Sequence, residues 1–257
     1  MQLYTLIMVI TSLDNAKLLA TRKLADKKYR RQTGNFVAEG ERLVADAVRY
    51  GADIETIFVK ESVADKFLGT YPQATVVADK AFATISDTVN SQGIVAVCHV
   101  AQSELQPCTG NCLVLDGLQD PGNVGTLLRT AAATGFDCVY AANSVDLYSP
   151  KVLRSAMGAH FCLTTQQADD LARLYDMLAP THEIVCADMG GNNVYEESFV
   201  KPVALVVGNE GNGLSELSRV RAAKTVSLPM TNKFESLNAA VAGSVLMYHI
   251  VYGCKNR

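Results

Sequence analysis

The chain has 257 residues, with 23 Lys and Arg against 26 Asp and Glu, giving a formal charge of −3. Apolar residues make up 49% and charged residues 19%, which excludes a disordered or fibrous chain and leaves room for one large or two modest domains. A net charge this close to neutral also excludes nucleic-acid binding through bulk charge, so any such binding has to be local.

The first ten residues, Met1 to Ile10, are apolar but too short to span a bilayer. They carry no basic flank and no small-residue cleavage site, so neither an export signal nor a membrane span is expected. Lys17 to Arg31 follows as a basic run: Lys17, Arg22, Lys23, Lys27, Lys28, Arg30 and Arg31 against the single acid Asp26. Ser12 as N-cap, a rough apolar stripe of Leu18, Leu19, Leu24, Ala25 and Tyr29, and Gly34 as stop predict one helix over this run. A charge run is ordinarily a solvated face; the functional alternative is a phosphate-contacting surface.

A helical stretch then runs to about Tyr50. Ile54–Val59, Thr75–Val77 and Ile94–Val100 read as strands, which makes a small alternating α/β unit. The polar stretch Ala101–Asn111, with Pro107 and Gly110, reads as a linker, so the expected domains are 1–105 and 106–257.

In the second part, strands are predicted at Cys112–Asp116, Cys138–Ala141, Glu183–Ala187, Val203–Val207 and Thr225–Leu228. Helices are predicted at about Val124–Thr134, Asp169–Leu178, Ser215–Ala222 and Ser236–Tyr252. This alternation argues for a parallel sheet covered on both faces. The seven cysteines are odd in number and scattered, which fits a reduced, cytoplasmic compartment better than a disulfide framework. Cys108 and Cys112 are the only close pair. They lack a neighbouring CxxC or His pair, so no metal site is expected.

Ligands of doubly wound sheets collect beyond the carboxyl ends of the strands, and three loops there carry unusual residues. The first is Asp116-Gly-Leu-Gln-Asp-Pro-Gly-Asn-Val-Gly-Thr-Leu-Leu-Arg129. Its plain reading is a helix start capped by Asn123 with a solvated Arg129, but a Gly-rich turn at a helix start also favours an anion. The second, Leu205-Val-Val-Gly-Asn-Glu-Gly-Asn-Gly-Leu214, holds Glu210 between glycines and lacks the dinucleotide fingerprint. The third, Leu228-Pro-Met-Thr-Asn-Lys-Phe-Glu-Ser-Leu-Asn238, offers Ser236 or Asn238 as a helix cap beside an apolar wall.

In this order, Asp120-Pro-Gly-Asn-Val-Gly-Thr-Leu-Leu-Arg-Thr-Ala131, Val207-Gly-Asn-Glu-Gly-Asn-Gly-Leu-Ser215 and Leu228-Pro-Met…Glu-Ser-Leu-Asn238 resemble the motifs of the SpoU family of RNA 2′-O-ribose methyltransferases, in the SPOUT superfamily. Phe36-Val-Ala-Glu-Gly-Glu-Arg-Leu-Val44 resembles the L30-like substrate-binding domain that often precedes that catalytic domain. The likeness starts near Met8, so residues 1–7 read as an extension or a misplaced start. It departs from the family at Arg154-Ser-Ala-Met-Gly-Ala159, where Ser155 stands one position away from the usual serine and bears on local RNA contacts.

The resemblance implies an α/β fold whose C-terminal parallel sheet carries a trefoil knot. It implies S-adenosylmethionine as methyl donor, held near Gly208, Leu228, Met230 and Leu237, with no metal. It also implies a homodimer with the active site at the shared interface, and RNA as partner, ribosomal in preference to transfer RNA. Arg129, Asn123, Glu210, Ser236 and Asn238 are the matched catalytic set. A guanidinium stays protonated to pH about 12, so Arg129 is expected to hold an RNA phosphate and stabilise the developing alkoxide rather than act as base. The basic run becomes the expected RNA surface. The competing readings are a non-catalytic RNA-binding or ribosome-assembly protein that keeps the fold, and a general nucleotide-binding enzyme, against which the absence of a Walker lysine counts.

Overall fold

The computed structural model describes residues 8–100, 105–231 and 236–253; the proposed extension at residues 1–7 lies outside them. The described chain falls into two compact units. One runs to Val100 and includes Tyr148–Pro150; the other is the remainder.

The first unit contains β1 (Val9–Ile10), α1 (Ala16–Lys23), α2 (Lys27–Thr33), β2 (Asn35–Glu39), α3 (Glu41–Arg49), β3 (Ile54–Lys60), α4 (Ala64–Leu68), β4 (Thr75–Val77), α5 (Asp79–Phe82) and β5 (Ile94–His99). The sheet order is β1-β4-β3-β5-β2, parallel across β1, β4 and β3 and antiparallel where β5 pairs with β3 and β2. The single helix expected over the basic run is two. Asn15, not Ser12, caps the first by accepting from Lys17 N at 3.0 Å, and Asp26 caps the second by accepting from Lys28 N at 2.8 Å. The lone acid of the run is therefore a helix start. Gly34 ends the second helix at φ 68°, as a left-handed C-cap. Leu18 and Leu24 are buried against Phe58, Phe82 and Val95, which holds the break between the helices against the sheet.

The second unit contains β6 (Cys112–Asp116), α6 (Pro121–Thr134), β7 (Cys138–Ala142), α7 (Pro150–Ala156), β8 (Thr164–Ala168), α8 (Leu171–Leu178), β9 (Glu183–Asn193), β10 (Val203–Gly208), α9 (Glu216–Arg221), β11 (Lys224–Ser227) and α10 (Ala239–Tyr248), followed by a π turn over His249–Gly253. The sheet order is β11-β9-β10-β6-β7-β8 and every pairing is parallel. The central strands β10, β6 and β7 are buried at every residue, which is why they read as unbroken apolar runs.

Two strands depart from the sequence pattern. β8, Thr-Thr-Gln-Gln-Ala, is polar, yet Gln166 is buried and exchanges hydrogen bonds with the Gln106 backbone at 2.6 and 3.0 Å. β9 runs past Ala187 to Asn193 because β11 pairs with it twice, with a register shift between Thr225 and Val226. At the other end, α10 starts at Ala239. Asn238 caps it by accepting from Ala240 N and Val241 N, so Ser236 lies ahead of the helix.

Candidate functional site

The carboxyl ends of β6 and β10 lie side by side, with Gly208 paired to Asp116. The loops leaving these strands therefore start next to each other. Asp116 is 4% exposed, and its Oδ2 accepts from Ser215 N at 2.8 Å and from the Ser218 hydroxyl at 2.6 Å. It ties the end of β6 to the start of α9. Asn209 Nδ2 donates to the Gly117 carbonyl at 2.7 Å, while its Oδ1 accepts from Gly211 N and Asn212 N at 2.9 Å each.

The glycines here are required by space. A Cβ on Gly208 would sit 2.5 Å from the Gly213 carbonyl carbon, and Gly213 itself has φ +68°. The second loop is thus folded into a tight bridge, Asn209 paired with Gly213, with Glu210 carried at its tip.

Asp120, with Pro121 in the first turn, caps α6 by accepting from Asn123 N at 2.7 Å. The Asn123 side chain is consequently free of capping, and its role as cap is corrected. Instead its Nδ2 donates to Glu210 Oε1 at 2.9 Å, and its Oδ1 accepts from Asn238 Nδ2 at 3.0 Å. The amides of Gln119 and Asp120 add longer contacts to the Glu210 carboxylate, at 3.4 and 3.3 Å. Burial pushes the Glu210 carboxyl upward, but the donors from Asn123, its own amide, Gln119 and Asp120 outweigh it and hold it below the usual glutamate value. The three loops singled out in the sequence thus meet as one row, Glu210–Asn123–Asn238.

That row borders a cavity of about 830 Å³, large enough for a nucleoside-sized ligand. Gly208, Glu210, Leu228, Met230, Ser236, Leu237 and Asn238 all line it. Met230 and Leu237 are 37% and 42% exposed, so apolar surface stands open on a wall that a ligand would cover. Polar groups face it as well: Asp188 and Arg219, paired at 2.6 Å. A mixed wall of this kind suits a ligand with a flat apolar part and charged handles.

Arg129 is placed differently. It is exposed on α6 and does not line the cavity, and among the described residues it makes no hydrogen bond or ion pair. Ser155 donates to the Pro121 carbonyl at 2.7 Å and to the Val152 carbonyl at 3.0 Å, filling the space where a Cβ on Gly125 would lie 2.0 Å away. The displaced serine is therefore a packing and bonding residue under α6.

In the first unit, Lys17, Arg22, Lys23, Lys27, Lys28 and Arg31 are exposed. Arg30 is 7% exposed and donates to the carbonyls of Leu24 and Ala25 at 2.6 and 2.8 Å. It braces the break between α1 and α2 and is withdrawn from the expected RNA surface. Sequence reasoning passed over Asp116, Asn209 and the Asp188–Arg219 pair. Asn209 had a signal, an Asn inside a Gly-rich turn. Asp188 had none, because β9 was expected to stop before it.

Residues 110–248 match the SpoU rRNA methylase family, and residues 15–96 match the MRM3-like substrate binding domain. The chain is 33% identical over 244 residues to the 23S rRNA (guanosine(2553)-2′-O)-methyltransferase RlmP of Bacillus subtilis, covering 94% of this chain and 98% of that one. The SpoU methyltransferase AviRb of Streptomyces viridochromogenes, solved in complex with AdoMet, superposes with a TM-score of 0.82 at 26% identity, covering 93% of this chain and 98% of that one. An AdoMet-bound rRNA methyltransferase of Sinorhizobium meliloti gives 0.78 at 28% identity, over 95% and 97% of the two chains. With its α/β fold, its parallel sheet and its three converging loops, the chain belongs to the SpoU rRNA methylase family.

Proposed function

We propose that this chain transfers a methyl group from S-adenosylmethionine to a ribose 2′-hydroxyl of ribosomal RNA. The observation that carries this reading is the hydrogen-bonded row Glu210–Asn123–Asn238 alongside the cavity lined by Gly208, Leu228, Met230, Ser236 and Leu237. The named relatives, which act on 23S rRNA or were solved with AdoMet bound, support the same choice of substrate and donor.

The lining fits the donor. Gly208 leaves no room for a side chain, so the Gly213–Leu214 backbone closes against the end of β10 and shapes the cavity wall there. Leu228, Met230 and Leu237 offer apolar contact to an adenine ring. When bound, S-adenosylmethionine supplies an activated methyl group on a sulfonium, open to in-line attack. Positioning then provides much of the rate. Asn123 and Asn238 present amide groups to a ribose edge, and Glu210 stays ionised at neutral pH to hold them in register. Arg129, protonated throughout, binds an RNA phosphate and stabilises the alkoxide as the hydroxyl loses its proton.

The exposed position of Arg129 supports a homodimer in which the site is shared. Val241, Val245, Tyr248 and Tyr252, 47%, 37%, 50% and 53% exposed, follow helical spacing along α10 and the turn after it, as a dimer face would. The expected trefoil knot is supported by the path of the chain. After the edge strand β11 it returns to the centre, where Gly243 of α10 packs on Leu127 and Val207. Lys17, Arg22, Lys23, Lys27, Lys28 and Arg31 supply local positive charge for RNA. Among the described residues no helix is long and apolar enough to cross a membrane.

Calorimetric titration with S-adenosylmethionine tests the reading. Saturable binding is expected in the wild type and its loss in Gly208→Val. No binding by a folded wild type would overturn it in favour of a non-catalytic RNA-binding protein.

A further inference from the structure

At the opposite end of β6 from the cavity, Cys108, Cys112 and His182 place their ligating atoms within 4.8 Å of one another. Four residue steps along the strand, about 13 Å, separate Cys112 from Asp116, so the cluster plays no part in the site described above. Sequence spacing hid it, because His182 lies 74 residues after Cys108.

We infer that Cys108, Cys112 and His182 form a binding site for a thiophilic d¹⁰ metal ion, with zinc the expected occupant. The distances support this. Zinc–sulfur bonds of about 2.3 Å and zinc–nitrogen bonds of about 2.0 Å at tetrahedral angles set sulfur and nitrogen about 3.5 Å apart. Cys108 Sγ and His182 Nε2 are 3.5 Å apart. The Gly110 carbonyl oxygen lies 2.9 Å from Nε2 and 3.6 Å from Cys108 Sγ and accepts a hydrogen from each. A metal would replace those protons, with water as its fourth ligand.

The surroundings also suit a ligand histidine. His182 is 3% exposed, and its Nδ1 lies 2.8 Å from the Thr181 hydroxyl, which in turn reaches the Leu178 carbonyl at 3.4 Å. On metal binding the imidazole proton would move to Nδ1, where the Thr181 hydroxyl accepts it, and Nε2 would give its lone pair to the metal. The bound ion pins the segment that enters the second unit to β6 and to the turn before β9. It is a structural clip.

The test is titration of the reduced, metal-stripped full chain with Co²⁺ and then Zn²⁺. Thiolate-to-cobalt charge-transfer absorption saturating at about one ion per chain, and bleached by zinc, is expected. Cys112 is fully buried and its replacement endangers folding, so the variants are Cys108→Ser at the half-buried position and Thr181→Val. Cys108→Ser should weaken the charge-transfer bands and abolish the rise in Tm on adding zinc. Thr181→Val should lower zinc affinity by about 10- to 100-fold. Three outcomes would overturn the site: no charge-transfer bands in the wild type, bands unchanged in Cys108→Ser, or a Cys108–Cys112 disulfide in the freshly isolated chain.

Discussion

Asn123 and Glu210, 87 residues apart in sequence, meet side chain to side chain at 2.9 Å. The contact is available because Asp120 has taken over the capping of α6, leaving the Asn123 amide to link the second loop with Asn238 of the third. Asn123→Ala should therefore unlink the row with little loss of stability. The expected result is a fall in the methyl-transfer rate of about 10- to 100-fold, equivalent to about 1–3 kcal/mol, with Tm within a few degrees of wild type. Single-turnover transfer and calorimetry on one preparation check both halves.

The Glu210 carboxyl gives a pH signature. Its folded value lies below that of an unfolded glutamate, about 4.3. Its contribution to stability is thus fully present above that value and is lost as pH falls through the folded one. The Tm difference between wild type and Glu210→Gln should shrink on acidification below about pH 4.5. A constant difference from pH 7 to pH 3 would contradict the assignment.

The central strands of the second unit were legible because each is buried on both faces and reads as an apolar run. The three loops were legible because glycine, proline and polar residues directly follow β6, β10 and the edge strand β11. β8 was not legible: its Thr and Gln side chains are satisfied by partners distant in sequence, including the Gln106 backbone. The break between α1 and α2 was signalled by Asp26, a capping residue inside what looked like a continuous charged face. Arg30 could not be sorted from its neighbours by sequence, since its inward turn depends on the carbonyls freed at that break.

The basic helices therefore separate into two kinds of residue. Arg30→Met should destabilise the chain by about 1.5–3 kcal/mol through the loss of its charged donors, seen as a lower urea midpoint, and should leave the salt dependence of RNA binding unchanged. Replacing Lys27 and Lys28 by Gln should do the reverse. The slope of log K against log salt falls by about 0.7–0.9 for each phosphate contact removed, while the urea midpoint holds.

Gly243 tests the packing of α10. A Cβ there would lie 2.7 Å from the Leu127 side chain and 3.1 Å from the Val207 side chain, so the α10 backbone rests directly on these two side chains of α6 and β10. Gly243→Val should cost at least about 1–3 kcal/mol in thermal unfolding. It should also weaken S-adenosylmethionine binding, because Ala242 and Leu246 on the same helix line the cavity.

We propose transfer of a methyl group to a ribose oxygen, with Arg129 acting on the reacting hydroxyl. Its most direct measurement uses methyl-labelled S-adenosylmethionine and unmodified 23S rRNA, with the labelled nucleotide located by its resistance to alkaline cleavage. Label on a 2′-oxygen is expected with wild type, reduced by about 10²- to 10³-fold in Arg129→Ala while donor binding persists. Label on a base, or full transfer by Arg129→Ala, would contradict the account.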